Sequence, residues 1–240
     1  MNLSNSVVLI TGASRGLGLE VARIFARRGA SLVITARGAD ALWKASEELA
    51  LQTEVLAIPG DIADLVHAER LVREGLAQFG RIDVLINNAS TVGPSPMPSL
   101  DLLAPEAFEE ILRVNVVAPL HLIQLVLPQM KVRGEGLIIN ITSDAGVKAY
   151  AGWGGYGTSK AALEHLSRML AEELRGTGIR VYLVDPGDMN TQMHREADPG
   201  LDLSHLPGPE VPAPAFVHLV EVETASFGRF EALRMVDGPS

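Results

Sequence analysis

The sequence has no cysteine, so disulfides, thiolate nucleophiles and cysteine-ligated zinc are excluded. A reducing, cytoplasmic setting is the expected location, and no metal is expected. Positive charge is in deficit as well. The chain carries 20 Lys+Arg against 29 Asp+Glu, a formal charge of -9, and its basic residues are scattered. The electrostatic footprint of a nucleic-acid binder is therefore missing, and nucleic acid is not an expected partner. Long apolar runs are scarce too. Residues 7–10 are too few for the apolar core of a signal peptide, and residues 1–6 hold no Lys or Arg. Residues 114–127 are interrupted by Asn115, Pro119, His121 and Gln124 and fall short of the roughly 20 apolar residues that cross a bilayer, so no membrane span is expected. Internal repeats, low-complexity tracts and long linkers are absent, and residues 1–240 are read as one domain.

What is present suits a globular α/β chain. Apolar residues make up 47% and charged residues 20%, enough to build a core without metals or disulfides. Short runs rich in Val, Ile and Leu recur at 6–10, 31–35, 54–59, 84–87, 136–141 and 180–184. They read as strands buried on both faces of a parallel sheet. Between them, apolar residues fall at helical spacing: Leu17, Val21, Ile24 and Phe25; Leu42, Ala45 and Leu49; Leu65, Leu71, Val72 and Leu76. Two longer helices are expected over 105–130 and 156–174, the second with the stripe Leu163, Leu166, Leu170 and Leu174. This alternation predicts a Rossmann-like, doubly wound three-layer sandwich with a central, mainly parallel sheet. Further on, Pro199, Pro207, Pro209, Pro212 and Pro214 crowd a polar stretch that resists regular structure. It reads as a mobile loop over a substrate pocket or as a plain surface connection.

Two constellations carry chemistry. The first strand runs into Thr11-Gly12-Ala13-Ser14-Arg15-Gly16-Leu17-Gly18 and then a helix, so a glycine-rich turn opens a helix after a buried strand. Gly12 suits the tight turn, Gly16 a close approach to pyrophosphate, and Gly18 the packing of helix on strand. The helix N-terminus adds free N–H groups and a partial positive charge. In the second constellation, Tyr156-Gly157-Thr158-Ser159-Lys160 sets a phenol and an ammonium on one helix face, with Ser143 upstream at the end of an apolar run. Singly, Ser143 reads as a helix cap, Asn115 as a polar break and Lys160 as a solvent lysine; their joint order beside the glycine turn carries the weight.

The glycine spacing and the Tyr-x-x-x-Lys pair resemble those of the short-chain dehydrogenase/reductase family over about residues 7–191. The resemblance implies a nicotinamide dinucleotide held by Gly12, Ser14, Arg15, Gly16, Leu17 and Gly18. Where NAD-binding chains carry an acid after the second strand, this one has Ile34-Thr35-Ala36-Arg37. A 2'-phosphate is tolerated there, Arg37 and Arg15 are expected to pair with it, and NADP(H) is the expected cofactor. By resemblance, Asp61-Ile62 meets the adenine. Asn87-Asn88-Ala89-Ser90 lies along the cofactor, with Ser90 in place of the usual glycine, and Pro186-Gly187-Asp188-Met189-Asn190-Thr191 contacts the nicotinamide amide. Asp61 and Thr191 read equally as helix caps.

Reducing a carbonyl requires a hydride on carbon and a proton on oxygen, and the nicotinamide provides only the hydride. Tyr156 is expected to move the proton, as acid in reduction and base in oxidation. A free phenol titrates near about 10, and a neighbouring Lys160 ammonium is expected to lower that value. Ser143 is expected to polarise the substrate oxygen. Tyr156 and Lys160 are also counted as cofactor contacts, Lys160 through the nicotinamide ribose. By resemblance, Asn115 holds a water that links Lys160 to solvent. Trp153, Met193 and His194 are candidate pocket residues. After about residue 191 the tail is compressed and diverged, with a helix expected over 212–222, a strand over 230–236, and Asp237-Gly238-Pro239 where the family closes with Asp-Gly-Gly. A homodimer or homotetramer through the two long helices is implied. The expected function is hydride transfer between NADP(H) and a small carbonyl or alcohol substrate. An NADP(H)-binding sensor with little catalysis and an NAD-dependent alcohol or sugar dehydrogenase stand as alternatives.

Overall fold

The computed structural model describes residues 1–236; the closing Asp237-Gly238-Pro239 lies outside them. Among the described residues seven strands form one sheet: β1 (Val7–Thr11), β2 (Ser31–Thr35), β3 (Val55–Ala57), β4 (Val84–Asn87), β5 (Gly136–Ile141), β6 (Ile179–Asp185) and β7 (Phe227–Glu231). Their order is β3-β2-β1-β4-β5-β6-β7 and every pairing is parallel. The direction of winding reverses between β1 and β4, the place where doubly wound sheets open a crevice at the carboxyl ends of their strands.

The central strands are buried throughout because helices cover both faces. Val8 and Ile10 of β1 face one way, toward α1 (Gly16–Arg27), α2 (Ala39–Leu49) and α8 (Ala213–Glu221), joining Leu17, Val21, Phe25, Leu42 and Phe216. Val7 and Leu9 face the other way, toward α3 (Leu65–Phe79), α5 (Ala118–Arg133) and α6 (Gly154–Glu173), joining Leu71, Val72, Leu122, Val126 and Leu170. The period of two along the strand thus splits one sequence run between two cores. Burying a residue such as Leu9 or Phe25 on either side contributes about 1.5–3 kcal/mol.

Helix α3 starts at Asp64, whose Oδ1 accepts the N–H of Val66 at 3.0 Å, and stops at Gly80, which takes φ 74°. Leu65, expected on its apolar stripe, is exposed in the first turn of the helix; Ala68, Leu71 and Val72 form the buried stripe. The long helix expected over 105–130 is three pieces in line: α4 (Pro105–Leu112), a π-turn (Arg113–Val117) and α5. Pro119 does not break it, since it falls in the first turn of α5, where a missing N–H costs least. By length and composition alone the run Pro105–Arg133 is long and apolar enough to cross a membrane, a test that a buried core helix also passes. In the fold its inward residues, including Leu122, Ile123, Val126 and Met130, are buried in the core under the sheet.

The strand expected over 230–236 is displaced. β7 is Phe227–Glu231, and Ala232–Val236 turns into a short helix, α9. Its partner β6 ends at Asp185, paired with Glu231, so no ladder remains for residues beyond, and Ala, Leu, Arg and Met are good helix formers. A further helix, α7 (Gln192–Ala197), precedes the proline-rich stretch. Residues 198–211 carry no regular element, whereas Pro214 sits in the first turn of α8, where the fixed φ of proline is helical.

Candidate active site

A cleft of about 880 Å³ opens at the carboxyl ends of β1, β4, β5 and β6. On one side it is walled by the glycine-rich turn. Gly12 takes φ 68°, and a Cβ there would lie 2.9 Å from Asn88 Nδ2 and 3.0 Å from the Ala89 backbone. At Gly16, φ is 58° and a Cβ would meet nothing within 4 Å, so the turn leaves open space where a pyrophosphate would lie. The N-cap of α1, Arg15, makes no side-chain cap bond, which leaves the N–H groups of the first turn directed at the cleft. Gly18 does not reach the wall. It packs instead against Gly12 O and Asn88 Nδ2, each 2.5 Å from where its Cβ would sit. These features fit the phosphate bridge of a dinucleotide.

Side chains brace this wall from behind. Asn88 Nδ2 donates to Thr11 O at 2.8 Å and Gly12 O at 3.2 Å, while Thr11 Oγ1 accepts the N–H groups of Asn88 and Ala89. Asn87 turns away, into the sheet, and donates to Asn140 Oδ1 at 2.8 Å. Ser14, Leu17, Arg37, Asp61, Ile62, Ala89, Pro186, Gly187 and Thr191 all line the cleft. Arg37 is exposed and forms no ion pair with another described residue. Arg15 donates across the cleft to Gln192 Oε1 on α7. Asp61 and Thr191 both line the cleft. Thr191 also caps α7, accepting the N–H of His194 at 3.3 Å, whereas Asp61 is not a helix cap: it accepts the N–H of Ala63 at 2.9 Å in the turn before α3, whose cap is Asp64. His67, which sequence reasoning passed over, fills the space above Gly60 and hydrogen-bonds Thr35 Oγ1 at 2.8 Å. Burial holds its imidazole below the usual histidine range.

On the other side stand Ser143, Tyr156 and Lys160. The first two turns of α6 carry Tyr156 and Lys160 on one inward stripe, 8% and 2% exposed. Lys160 Nζ lies 5.4 Å from the Tyr156 ring centroid and donates to Ile141 O at 2.9 Å. Ser143 follows β5, caps the short turn Asp144–Gly146 through the Ala145 N–H at 3.2 Å, and still lines the cleft. Asn115 stands behind the wall in the π-turn, 1% exposed. Its Oδ1 accepts from Ser90 Oγ at 3.0 Å and Thr91 N at 2.9 Å, and its Nδ2 donates to Thr91 O at 2.8 Å and Ser159 Oγ at 2.9 Å. No donor or acceptor of that side chain is left over.

Burial dominates the electrostatics. It pushes the Tyr156 phenol well above its ordinary value; the hydroxyls of Ser143 and Ser90 beside it work the other way, and the charges of Asp185 and Asp144 add to the rise. Burial also pushes the Lys160 ammonium down to about 8, with Asp185 opposing. The expected lowering of the phenol by Lys160 is therefore not what this structure shows: the ammonium is itself desolvated and spends its hydrogen bond on a main-chain carbonyl.

Beyond the phenol the cleft is apolar. Val92, Met97, Trp153, Met193 and Ala197 cluster around Tyr156. Trp153 presents an edge to Tyr156 at 5.7 Å and to His194 at 6.3 Å between ring centroids. Among the described residues, no group of three His, Asp or Glu side chains is placed to hold a metal. Sequence reasoning missed the contributions of Thr91, Ser159, Asp185 and Arg229: Ser159 is an unassigned position inside the Tyr-x-x-x-Lys motif, the other three belong to no motif, and each enters the site through tertiary contact.

The short chain dehydrogenase family model matches residues 6–202. An uncharacterized oxidoreductase of Thermotoga maritima is 38% identical over 201 residues, 80% of this chain and 75% of that one. A metagenomic short-chain oxidoreductase solved in complex with NADP superposes with a TM-score of 0.80 at 31% identity, covering 96% of this chain and 99% of the other. A 3-ketoacyl-(acyl-carrier-protein) reductase from Brucella melitensis, solved with NADH, superposes with a TM-score of 0.86 at 27% identity, covering 95% and 97%. With this match, this sheet and a cleft shaped for a nicotinamide dinucleotide, the chain belongs to the short-chain dehydrogenase/reductase family of oxidoreductases, which act on CH–OH and C=O groups.

Proposed function

We propose that this protein transfers hydride between NADP(H) and an apolar carbonyl or alcohol substrate, with Tyr156 as the proton donor and acceptor. The observation that carries the reading is the meeting of Ser143, Tyr156 and Lys160 on one wall of a cleft whose opposite wall is the glycine-rich turn. The bound nicotinamide supplies or takes the hydride. In reduction, the Tyr156 O–H bond breaks as its proton passes to the substrate oxygen, and Ser143 steadies that oxygen by donating a hydrogen bond. Lys160, an ammonium below about pH 8, would bond the ribose of the bound cofactor. Because the Asn115 side chain is saturated, a water relay through that residue runs over its main chain.

The choice of NADP(H) rests on Arg37, an exposed cation at the end of β2 with no acid beside it and no ion-pair partner among the described residues. The apolar wall of Val92, Met97, Trp153 and Met193 supports a substrate with a hydrophobic body. Val117, Val132 and Met169, apolar and exposed on the helices flanking the site, support a homodimer or homotetramer through those helices. The remaining expectations, one domain over 1–240, a cytoplasmic location and no membrane or nucleic-acid partner, are part of the same reading. A fluorescence titration with NADPH and NADH, followed by NADPH-oxidation assays on apolar ketones and quinones, tests it. Tighter NADPH binding with turnover supports the proposal; tighter NADH binding overturns the cofactor choice, and binding without turnover favours a sensor.

A further inference from the structure

A buried charged cluster lies directly beneath the reacting groups. Glu164 follows Tyr156 and Lys160 at successive four-residue steps, so all three share one stripe of α6, and it is 1% exposed. Asp185, the last residue of β6, is 7% exposed. Arg229, from the middle of β7, forks between them. Its Nε donates to Glu164 Oε1 at 2.8 Å, and its Nη2 to Asp185 Oδ2 at 3.2 Å and the Ser143 carbonyl at 3.4 Å. Both carboxylates are tied to the site in turn. Glu164 Oε1 accepts from Thr142 Oγ1 at 2.9 Å, one residue before Ser143, and Asp185 Oδ1 accepts from Gly187 N at 3.0 Å.

We propose that Arg229 is a positioning residue for the catalytic centre: its guanidinium sets the Ser143 loop, the Pro186-Gly187 turn and the reacting stripe of α6 against one another, and balances the Asp185 charge that faces Lys160 and Tyr156. The inference rests on the site reading given above. Glu164 has a second cation, Arg168 at 2.8 Å, whereas Asp185 pairs with Arg229 alone among the described residues. The charged groups around the Lys160 and Tyr156 pair are Asp185 from β6, Asp144 from the turn after β5, and, behind them, Arg229 with Glu164 and with Glu231 of β7, whose carboxylate lies 4.0 Å from the guanidinium. Remove the guanidinium and a buried carboxylate beside Lys160 loses its counter-charge, which favours the charged form of the lysine.

The chain's lysines are Lys44, Lys131, Lys148 and Lys160, so a side-chain NMR titration can follow Lys160 without any substrate. Arg229→Gln is expected to raise its midpoint from about 8 by about one pH unit. Adding Asp185→Asn is expected to bring it back to the wild-type value or below. Arg229→Lys keeps the charge but not the fork, so the midpoint stays while NADPH-dependent reduction of phenanthrenequinone falls at least about tenfold in kcat. An unchanged midpoint in Arg229→Gln, a raised midpoint that ignores Asp185→Asn, or full turnover in Arg229→Lys overturns the proposal. If Arg229→Gln does not fold by circular dichroism, Arg229→Lys and Asp185→Asn alone, the latter lowering the Lys160 midpoint, carry the test. A Tyr156→Phe variant that still reduces the quinone overturns the site reading instead, a result the NMR titration does not depend on.

Discussion

Lys160 sits 5.4 Å from the ring of Tyr156, yet its hydrogen bond goes to the carbonyl of Ile141. The pair is close enough to couple and too buried to be comfortable. Lys160 is 2% exposed and its ammonium is held down to about 8, which makes it a strained component of the fold as well as part of the site.

That strain has a readable sign. A lysine whose folded midpoint lies near 8 rather than at its ordinary value of 10.5 carries a penalty that is fully present below pH 8 and fades as pH rises from about 8 toward 10.5. Lys160→Met is expected to abolish turnover and to stabilise the fold at pH 7 by up to about 3 kcal/mol. Thermal unfolding measured at pH 7 and again near pH 10 checks both size and sign, since the gain must shrink at the higher pH.

Tyr156→Phe keeps the ring that packs against Trp153 and loses only the hydroxyl. Turnover is expected to fall by at least about a hundredfold, with NADPH affinity and melting temperature close to wild type. Because burial holds the phenol protonated across the neutral range, reduction should be insensitive to its titration there, while alcohol oxidation should climb with pH. Initial rates in both directions across a pH series test this.

Arg37→Asp places a carboxylate where NAD-binding relatives of this fold hold the ribose hydroxyl. The ratio of NADPH to NADH affinity is expected to invert, through a loss of roughly tenfold or more for NADPH. Paired fluorescence titrations of wild type and variant decide it, and an unchanged ratio would falsify the role given to Arg37.

Two glycines in one turn should respond differently to a single added methyl. Gly18→Ala drives a Cβ to 2.5 Å from Gly12 O, so the loop must move, at a cost of about 1–3 kcal/mol. Gly16→Ala meets nothing within 4 Å but must hold φ 58°, a milder strain of about 1 kcal/mol. Its methyl projects into the cleft, so cofactor affinity rather than stability should suffer most. Chemical denaturation together with NADPH titration separates the two effects.

Much of this was legible in the linear chain. Residues 7–10, 84–87 and 136–141 announce buried parallel strands because helices on both faces leave no position free to be polar. Gly12, Gly16, Tyr156 and Lys160 are equally visible, since a turn before a helix and a four-residue step are local geometries that spacing alone encodes. Pairing is another matter. Where β7 ends depends on where β6 ends, so residues 230–236 divided between strand and helix for a reason that lies elsewhere in the chain. The length of the helical run past Asn115 and Pro119 likewise depended on a π-turn that no residue pattern declares. By itself, then, the sequence determined the layered fold, the phosphate turn and the phenol with its lysine. Only the tertiary structure decided that Lys160 is desolvated, that Asn115 is saturated by Ser90, Thr91 and Ser159, and that Arg229 reaches Ser143, Glu164 and Asp185. Burial and charge pairing arise from residues far apart in the chain, and their energies exist only once the sheet has brought those residues together.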